Sequence, residues 1–142
     1  MFNKASELLE QCNNESKKIS EIVIKKEMVG LSLSFDELIG KMRTTLQVMK
    51  DSATAALDKE VKSVSGLTGG NSKRIEDYIK SGKTLSGVFI NTAMARAFST
   101  SEVNASMGKV VAAPTAGAAG ILPAAILSAQ EKLDLTDDDL IM

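Results

Sequence analysis

Residues 110 to 125 read VVAAPTAGAAGILPAA, and no charged side chain occurs between Lys109 and Glu131. An uncharged run of about 20 residues is long enough to cross a bilayer as a helix. However, Pro114 and Pro123 both lie inside this run, and Ala, whose burial contributes little transfer free energy, outnumbers Leu. We therefore predict that the segment belongs to a soluble domain and that the chain has no membrane association.

Proline and glycine divide this run. Pro114 disfavours helical angles at Ala113, and Gly117 permits positive φ or a close backbone approach. The pattern predicts an extended stretch, a Pro-Thr-Ala-Gly turn and a helix from about Leu122 to Leu133. The amides of residues 115–119 would then lie unpaired near a helix N-terminus, where donors and the helix dipole hold a carboxylate or phosphate. The alternative is a buried loop whose amides are satisfied by the protein itself, and the spacing does not choose between the two.

The remainder of the chain carries helical patterns. Ser34 and Glu37 have the spacing of a capping box. Apolar residues then recur every three or four positions, which predicts an amphipathic helix of about 30 residues, roughly 45 Å long. Its apolar positions are Leu38, Met42, Leu46, Met49, Ala53, Leu57, Val61 and Val64. Because the chain has no Trp, one Tyr and four Phe, its core must be built from aliphatic residues and Met, which favours helices.

Shorter helices are predicted on both sides of this long one. Their expected ranges are 4–12, 18–29, 72–80 and 88–102, and Thr136 is expected to start a last one. Asn71 is expected to cap the helix at residue 72, and Gly- and Pro-rich loops join the elements. The sequence therefore predicts a mainly α fold, in which residues 1–142 form part of a single larger all-α catalytic domain.

Composition excludes several classes of function. A net charge of −1 provides no basic field for nucleic acid. The absence of His removes the commonest general base and metal ligand, and a single Cys, Cys12, rules out an internal disulfide and a thiolate metal cage. Without a His to activate it, Cys12 is predicted to be a small half-buried thiol. The charged N-terminus lacks the apolar core of a signal peptide, so we expect a cytoplasmic protein.

Three segments together indicate a family. They are SGLTGGN at 65–71, SGKTLSG at 81–87 and SEVNASMGKVVAAPTAGAAGILPA at 101–124. They resemble the alpha chain of the two-subunit, iron–sulfur-dependent L-serine dehydratase. NASMG and APTAG occur in the same order and close together, and the likeness covers nearly the whole chain. Taken without the resemblance, SGLTGGN is better explained as a helix C-cap and turn.

The resemblance implies a lyase of serine metabolism and gluconeogenesis. The family deaminates L-serine to pyruvate and ammonia without pyridoxal phosphate. It uses an oxygen-sensitive four-iron four-sulfur cluster that three Cys hold, and one iron is left to bind the departing hydroxyl. Its catalytic domain is mainly helical. The expected partners are L-serine, the remainder of the alpha chain and a beta chain, with a homo-oligomer as a further assembly.

Candidate site residues follow from the resemblance as well. Serine elimination requires a group that holds the carboxylate, and the Pro-Thr-Ala-Gly turn suits that task. Thr115, Ala116 and Gly117 are the expected substrate contacts. Further candidates for the same pocket are Asn104, Ser65 and Thr68. No catalytic base is assigned, because His is absent.

The chain departs from the family in its cysteines. A cluster requires several thiolates, and only Cys12 is present, so we expect no metal site here. We expect the chain to be the N-terminal half of the catalytic subunit, which contributes pocket loops and is inactive alone. Two alternatives remain open: a non-catalytic helical module for oligomerisation or partner binding, and a binder of small anions through its loop amides.

Overall fold

A computed structural model describes residues 2–142, and it confirms the mainly α prediction. The helices are α1 Ala5–Glu15, α2 Ile19–Leu31, α3 Phe35–Thr54, α4 Asn71–Lys80, α5 Gly87–Ala105, α6 Ala116–Leu133 and α7 Asp137–Ile141. The part of the chain that the structure describes contains no β-strand, only an isolated antiparallel bridge between Lys62 and Gly69. No helix within residues 2–142 is long and apolar enough to cross a membrane.

The chain divides into two compact units. The first comprises the residues up to Thr44 together with Ile141 and Met142, and the second comprises Thr45–Leu140. In the first unit α1 packs on α2, with Cys12 and Ile22 buried. In the second unit α5 packs against both α4 and α6. The second unit contains all the predicted site residues and is described further below.

Two predicted helix starts are confirmed as capping boxes. The Glu37 carboxylate accepts hydrogen bonds from the Ser34 amide (2.8 Å) and hydroxyl (2.7 Å), and the Ser34 hydroxyl accepts one from the Glu37 amide. Thr136 and Asp139 form the same arrangement at α7. The Ser34 hydroxyl and amide lower the pKa of Glu37, and those of Thr136 do the same for Asp139. The stabilisation that comes from a lowered carboxyl pKa is present at neutral pH and is lost as the pH falls through the folded-state value.

The long helix ends ten residues earlier than predicted, at Thr54. The Ser99 hydroxyl of α5 donates to the Ser52 carbonyl (2.7 Å) and accepts from the Ala56 amide (3.0 Å). Those two backbone groups would otherwise pair with each other in the next turn of α3. A hydroxyl inserted into the helical ladder is a known cause of helix interruption. The apolar periodicity of the sequence therefore continues beyond Thr54, although the helix ends at that residue.

The start of α4 also differs from the prediction. The helix begins at Asn71, and Gly70, with φ of 79°, occupies the cap position, so Asn71 is not the cap. The acceptor comes from α5 instead: Glu102 Oε1 accepts the Asn71 amide at 2.6 Å and the Ser72 amide at 3.4 Å. A carboxylate at a helix N-terminus is favourable both as an acceptor and against the helix dipole. This contact joins α5 to the loop that precedes α4.

Helix α6 begins at Ala116, six residues before the predicted start, and Pro123 lies inside it. The sequence prediction assigned residues 114–117 to a turn, whereas Ala116 and Gly117 already belong to the helix. The observed start is set by Thr115, whose hydroxyl accepts the Ala118 amide. It is reinforced by the close approach of Gly120 to α5, where a Cβ atom would lie 3.0 Å from the Ala97 carbonyl oxygen. Pro123 therefore lies inside α6, because the Thr115 cap and the packing against α5 start the helix before the proline.

Candidate functional site

The candidate site lies at the N-terminus of α6. Thr115 is extended (φ −135°, ψ 156°), and its side chain accepts the Ala118 amide at 3.1 Å. The Ala119 amide is bound by the Thr115 carbonyl, also at 3.1 Å. In residues 2–142, the amides of Ala116 and Gly117 have no hydrogen-bond acceptor. Neither alternative for the five amides of residues 115–119 holds completely: those of Ala118 and Ala119 are satisfied by Thr115, and those of Thr115, Ala116 and Gly117 have no acceptor within the described residues.

A cavity of about 240 Å³ lies beside these amides, between α5 and α6. Its lining residues are Thr100, Ser101, Asn104, Val110, Ala116, Gly117, Ala119 and Gly120. The small residues of α6 leave this space open, whereas larger side chains would fill it. The cavity therefore combines a helix N-terminus with hydroxyl and amide side chains from α5. We refer to it below as the α6 cavity.

Thr100 lines this cavity and carries a buried hydroxyl that has no partner in the described chain. The residue is only 1% exposed, and its Oγ1 atom has no hydrogen-bond partner within the described chain. Burying a hydroxyl without a partner typically costs about 1–3 kcal/mol. Such a group is expected where a ligand completes the hydrogen bonding. Sequence reasoning did not identify Thr100 or Ser101; the available signal was the run of polar residues from Ser99 to Ser101 in an otherwise apolar helix.

The predicted site residues are brought together in part. Asn104, Ala116 and Gly117 line the α6 cavity, and Thr115 shapes it by capping the helix. Thr68 lines a second cavity of about 190 Å³, which also includes Ser101. Ser65 is an exposed loop residue whose hydroxyl bonds to that of Ser63 (3.1 Å) and lines neither cavity. Contact of any of these residues with substrate stays a prediction.

The second cavity is bounded by the loop that leads into α4. The Ser63 amide donates to the Thr68 carbonyl (2.9 Å), and the Ser63 hydroxyl accepts the Thr68 amide (3.2 Å). Glu102 lies on the opposite side, where it caps α4. We refer to this space as the α4 cavity. The two cavities have Ser101 in common and otherwise differ in chemistry, because only the α4 cavity includes a carboxylate.

Charged groups lie away from the α6 cavity. None of its lining residues has an ionisable side chain. One turn before Thr100 on α5, the buried Arg96 pairs with Glu131 and donates to the Ser128 hydroxyl at 3.3 Å. Its Nε atom has no partner in the part of the chain that the structure describes. The α6 cavity can therefore bind and orient a small polar molecule, but it offers no side chain for proton transfer.

Potential metal ligands are dispersed over the part of the chain that the structure describes. Cys12 is buried in α1. Over residues 2–142, no three or more His, Cys, Asp or Glu side chains come together in a group that could hold a metal ion. A four-iron cluster needs several thiolates, so the donor set present here does not fit one.

Comparison with known proteins identifies a family. Residues 14–142 match the family model described as serine dehydratase alpha chain. A protein of Peptoniphilus asaccharolyticus named L-serine dehydratase, alpha chain is 43% identical over 132 residues, which cover 93% of this chain and 45% of that protein. A Bacillus subtilis protein named probable L-serine dehydratase, alpha chain is 38% identical over 141 residues, 99% of this chain and 47% of its own length.

A third relative is more distant. The Helicobacter pylori protein named L-serine dehydratase is 33% identical over 136 residues, which cover 93% of this chain and 29% of that protein. The chain thus spans less than half the length of each of these curated relatives. No solved structure matches it.

Proposed function

Because the chain belongs to the serine dehydratase alpha chain family, we propose that it forms part of the substrate pocket of an L-serine dehydratase. Such an enzyme converts L-serine to pyruvate and ammonia, which requires removal of the α-proton and departure of the β-hydroxyl. The names of the two alpha-chain relatives support L-serine as the substrate. The share of the reaction that we assign to this chain is binding of the serine carboxylate.

The α6 cavity supports this assignment. A carboxylate placed there would accept hydrogen bonds from the Ala116 and Gly117 amides, and the α6 dipole would favour its negative charge. Thr100 carries the proposal furthest, because it lines the same cavity and its buried hydroxyl has no partner in the described chain. The Asn104 side-chain amide supplies a further donor from α5. Thr115 acts indirectly, by fixing where the helix begins.

Proton transfer and cluster chemistry are not assigned to this chain. No ionisable side chain lines the α6 cavity, so no general base is available there. Iron–sulfur dependence is part of the proposal for the complete enzyme only. Because Cys12 is the one cysteine here, we place the cluster thiolates in the part of the longer relatives that this chain does not match.

We also propose that protein partners cover part of α5. Val88, Phe89 and Ile90 are 60%, 48% and 48% exposed, and contiguous apolar surface is typical of protein interfaces. The remainder of the alpha chain and the beta chain implied by the family name are the partners that we expect. The same surface would also serve a non-catalytic association module. We favour the enzyme because an association module does not require a buried unpaired hydroxyl beside a helix N-terminus.

Replacing Thr100 with Val tests the proposed role of the cavity. Val has nearly the same shape as Thr and removes the unpaired hydroxyl. The free energy of unfolding should therefore stay unchanged or rise, by up to about 1 kcal/mol. The affinity for L-serine should fall roughly tenfold or more, the loss expected for a hydrogen bond to a carboxylate. Both quantities can be measured on the same preparation, by urea unfolding and by titration calorimetry.

Thr92→Val is the matched control, since Thr92 lies on the same helix but outside the cavity lining. It should leave the affinity for L-serine unchanged. Equal affinities for wild type and Thr100→Val, or no saturable heat from L-serine with the wild-type chain, would contradict the proposed function.

A further inference from the structure

We propose that the α4 cavity binds the positively charged ammonium group of a small primary amine. This is a second site, separate from the carboxylate site proposed at α6. The cavity has a volume of about 190 Å³ and lies among the loop of residues 63–69, the start of α4 and the last turns of α5. The central residue is Glu102, which lines the cavity and is only 6% exposed.

The two oxygens of Glu102 are in different situations. Oε1 accepts the Asn71 and Ser72 amides and so caps α4. Oε2 is buried and forms no hydrogen bond within residues 2–142. In the same part of the chain, no Lys or Arg forms an ion pair with Glu102. A buried carboxylate is costly unless it is paired, so the cap alone leaves half of this group without compensation.

The other polar groups of the cavity are suited to accepting hydrogen bonds. The Ser101 hydroxyl donates its hydrogen to the Ala97 carbonyl at 3.0 Å, so only its lone pairs are available to the cavity. The Thr68 hydroxyl adds a further acceptor oxygen, and the Ser63 hydroxyl, which already accepts the Thr68 amide and bonds to the Ser65 hydroxyl, adds at most one lone pair. A primary ammonium group has three N–H donors and no acceptor. It would therefore complement both the charge of Glu102 and this set of acceptors.

The apolar side chains of the cavity define the remainder of the ligand. Phe98 and Ala105 line the same space, and neither offers a polar contact. A small alkyl group attached to the ammonium would bury apolar surface against them. Two ligand sources share this chemistry: the free ammonium ion, and the amino group of an alkylamine or amino acid. The apolar wall favours the second source.

The test is a titration of the ¹⁵N-labelled chain near neutral pH, followed through the Asn71 and Ser72 amides, because both donate to Glu102. Ethylammonium chloride should cause saturable shifts of these two resonances. Tetramethylammonium chloride, which is cationic but has no N–H donor, should not cause them at the same ionic strength. Ammonium chloride and L-alanine distinguish the sources: shifts with L-alanine identify an amino acid, and shifts with ammonium chloride alone identify the free ion.

Glu102→Gln provides the variant for this test. Gln keeps an acceptor oxygen for the α4 cap and replaces the unpaired oxygen with an uncharged NH₂ donor. The apparent Kd for ethylammonium should rise roughly tenfold or more, since a charge-assisted hydrogen bond is lost. Glu27→Gln makes the same charge change at an exposed residue of α2 and should match the wild type.

Three results would overturn the proposal. They are the absence of saturable shifts with every N–H-bearing cation, equal shifts with tetramethylammonium or potassium chloride, and an unchanged Kd in Glu102→Gln. If this variant fails to fold, the comparison of salts on the wild-type chain decides the question alone. Failure here is distinguishable from failure of the carboxylate site, because L-serine binding at α6 is read from the Ala116 and Gly117 amides.

Discussion

Gly69→Ala is expected to lower the free energy of unfolding by about 3 kcal/mol, one of the two largest effects that the structure predicts. Gly69 has φ of 127°, which L-residues rarely adopt. A Cβ atom at this position would also lie 2.1 Å from the Val61 carbonyl oxygen and 2.9 Å from the Lys62 Cα atom. Both neighbours are backbone atoms, so relief of the overlap requires displacement of the loop. Urea unfolding followed by circular dichroism measures the loss.

Gly66→Ala separates backbone strain from overlap. Gly66 also has positive φ, 74°, but a Cβ atom there would have no neighbour within 4 Å. Its substitution should cost only about 1 kcal/mol, from the left-handed conformation alone. Equal losses for the two variants would show that the close approach of the loop around Gly69 is not present in solution.

The second large effect concerns the packing of α6 on α5. Gly120→Val is expected to cost about 3 kcal/mol, because it overfills the contact between the two helices. A Cβ atom on Gly120 would lie 2.9 Å from the Ser101 hydroxyl oxygen and 3.0 Å from the Ala97 carbonyl oxygen. The two additional methyl groups increase the overlap. Thermal or urea unfolding of the purified variant measures this loss.

Gly117 offers a matched control on the same helix. A Cβ atom there would have nothing within 4 Å, because Gly117 faces the α6 cavity. Gly117→Val should therefore change the free energy of unfolding by less than about 0.5 kcal/mol. Because its side chain would occupy the cavity, it should nevertheless weaken L-serine binding. Similar losses of stability in both variants would contradict the described packing of α6.

Local features of the fold were predictable from the sequence. The capping box at Ser34 and the helix start at Thr136 depend on residues close together in the chain, and both occur as predicted. The helical class follows from an aliphatic composition and from periodicity, which are also properties of short segments. Family membership was indicated by motifs that lie close together in the chain.

The predicted end of α3 and the predicted cap of α4 were wrong because both depend on contacts between residues far apart in sequence. Ser99 ends α3 from 47 residues away, and Glu102 caps α4 from 31 residues away. No local pattern encodes either contact. The polar groups that form these two contacts are buried, and apolar periodicity does not identify buried polar residues. The buried side of α5 includes Asn91, Ala95, Ser99 and Glu102, whereas its Phe89 is exposed.

In the candidate site, too, local features were predictable and contacts between distant residues were not. The turn at Thr115 was predictable because proline, a capping residue and glycine occur together there. Which amides of this segment lack an acceptor could not be predicted, because that depends on the residue at which the helix begins. Thr100 lies on a different helix, and only the packing of α5 on α6 makes it part of the cavity lining.

The most direct test of the account is a titration of the ¹⁵N-labelled chain with L-serine, read at individual amides. A serine-binding site at the start of α6 should give saturable shifts of the Ala116 and Gly117 resonances, because a bound carboxylate would accept their hydrogen bonds. The amides of Gly30 and Gly40, which lie in α2 and α3, serve as the reference. Shifts that are absent at Ala116 and Gly117, or no larger than those at Gly30 and Gly40, would contradict a serine-binding site at the start of α6.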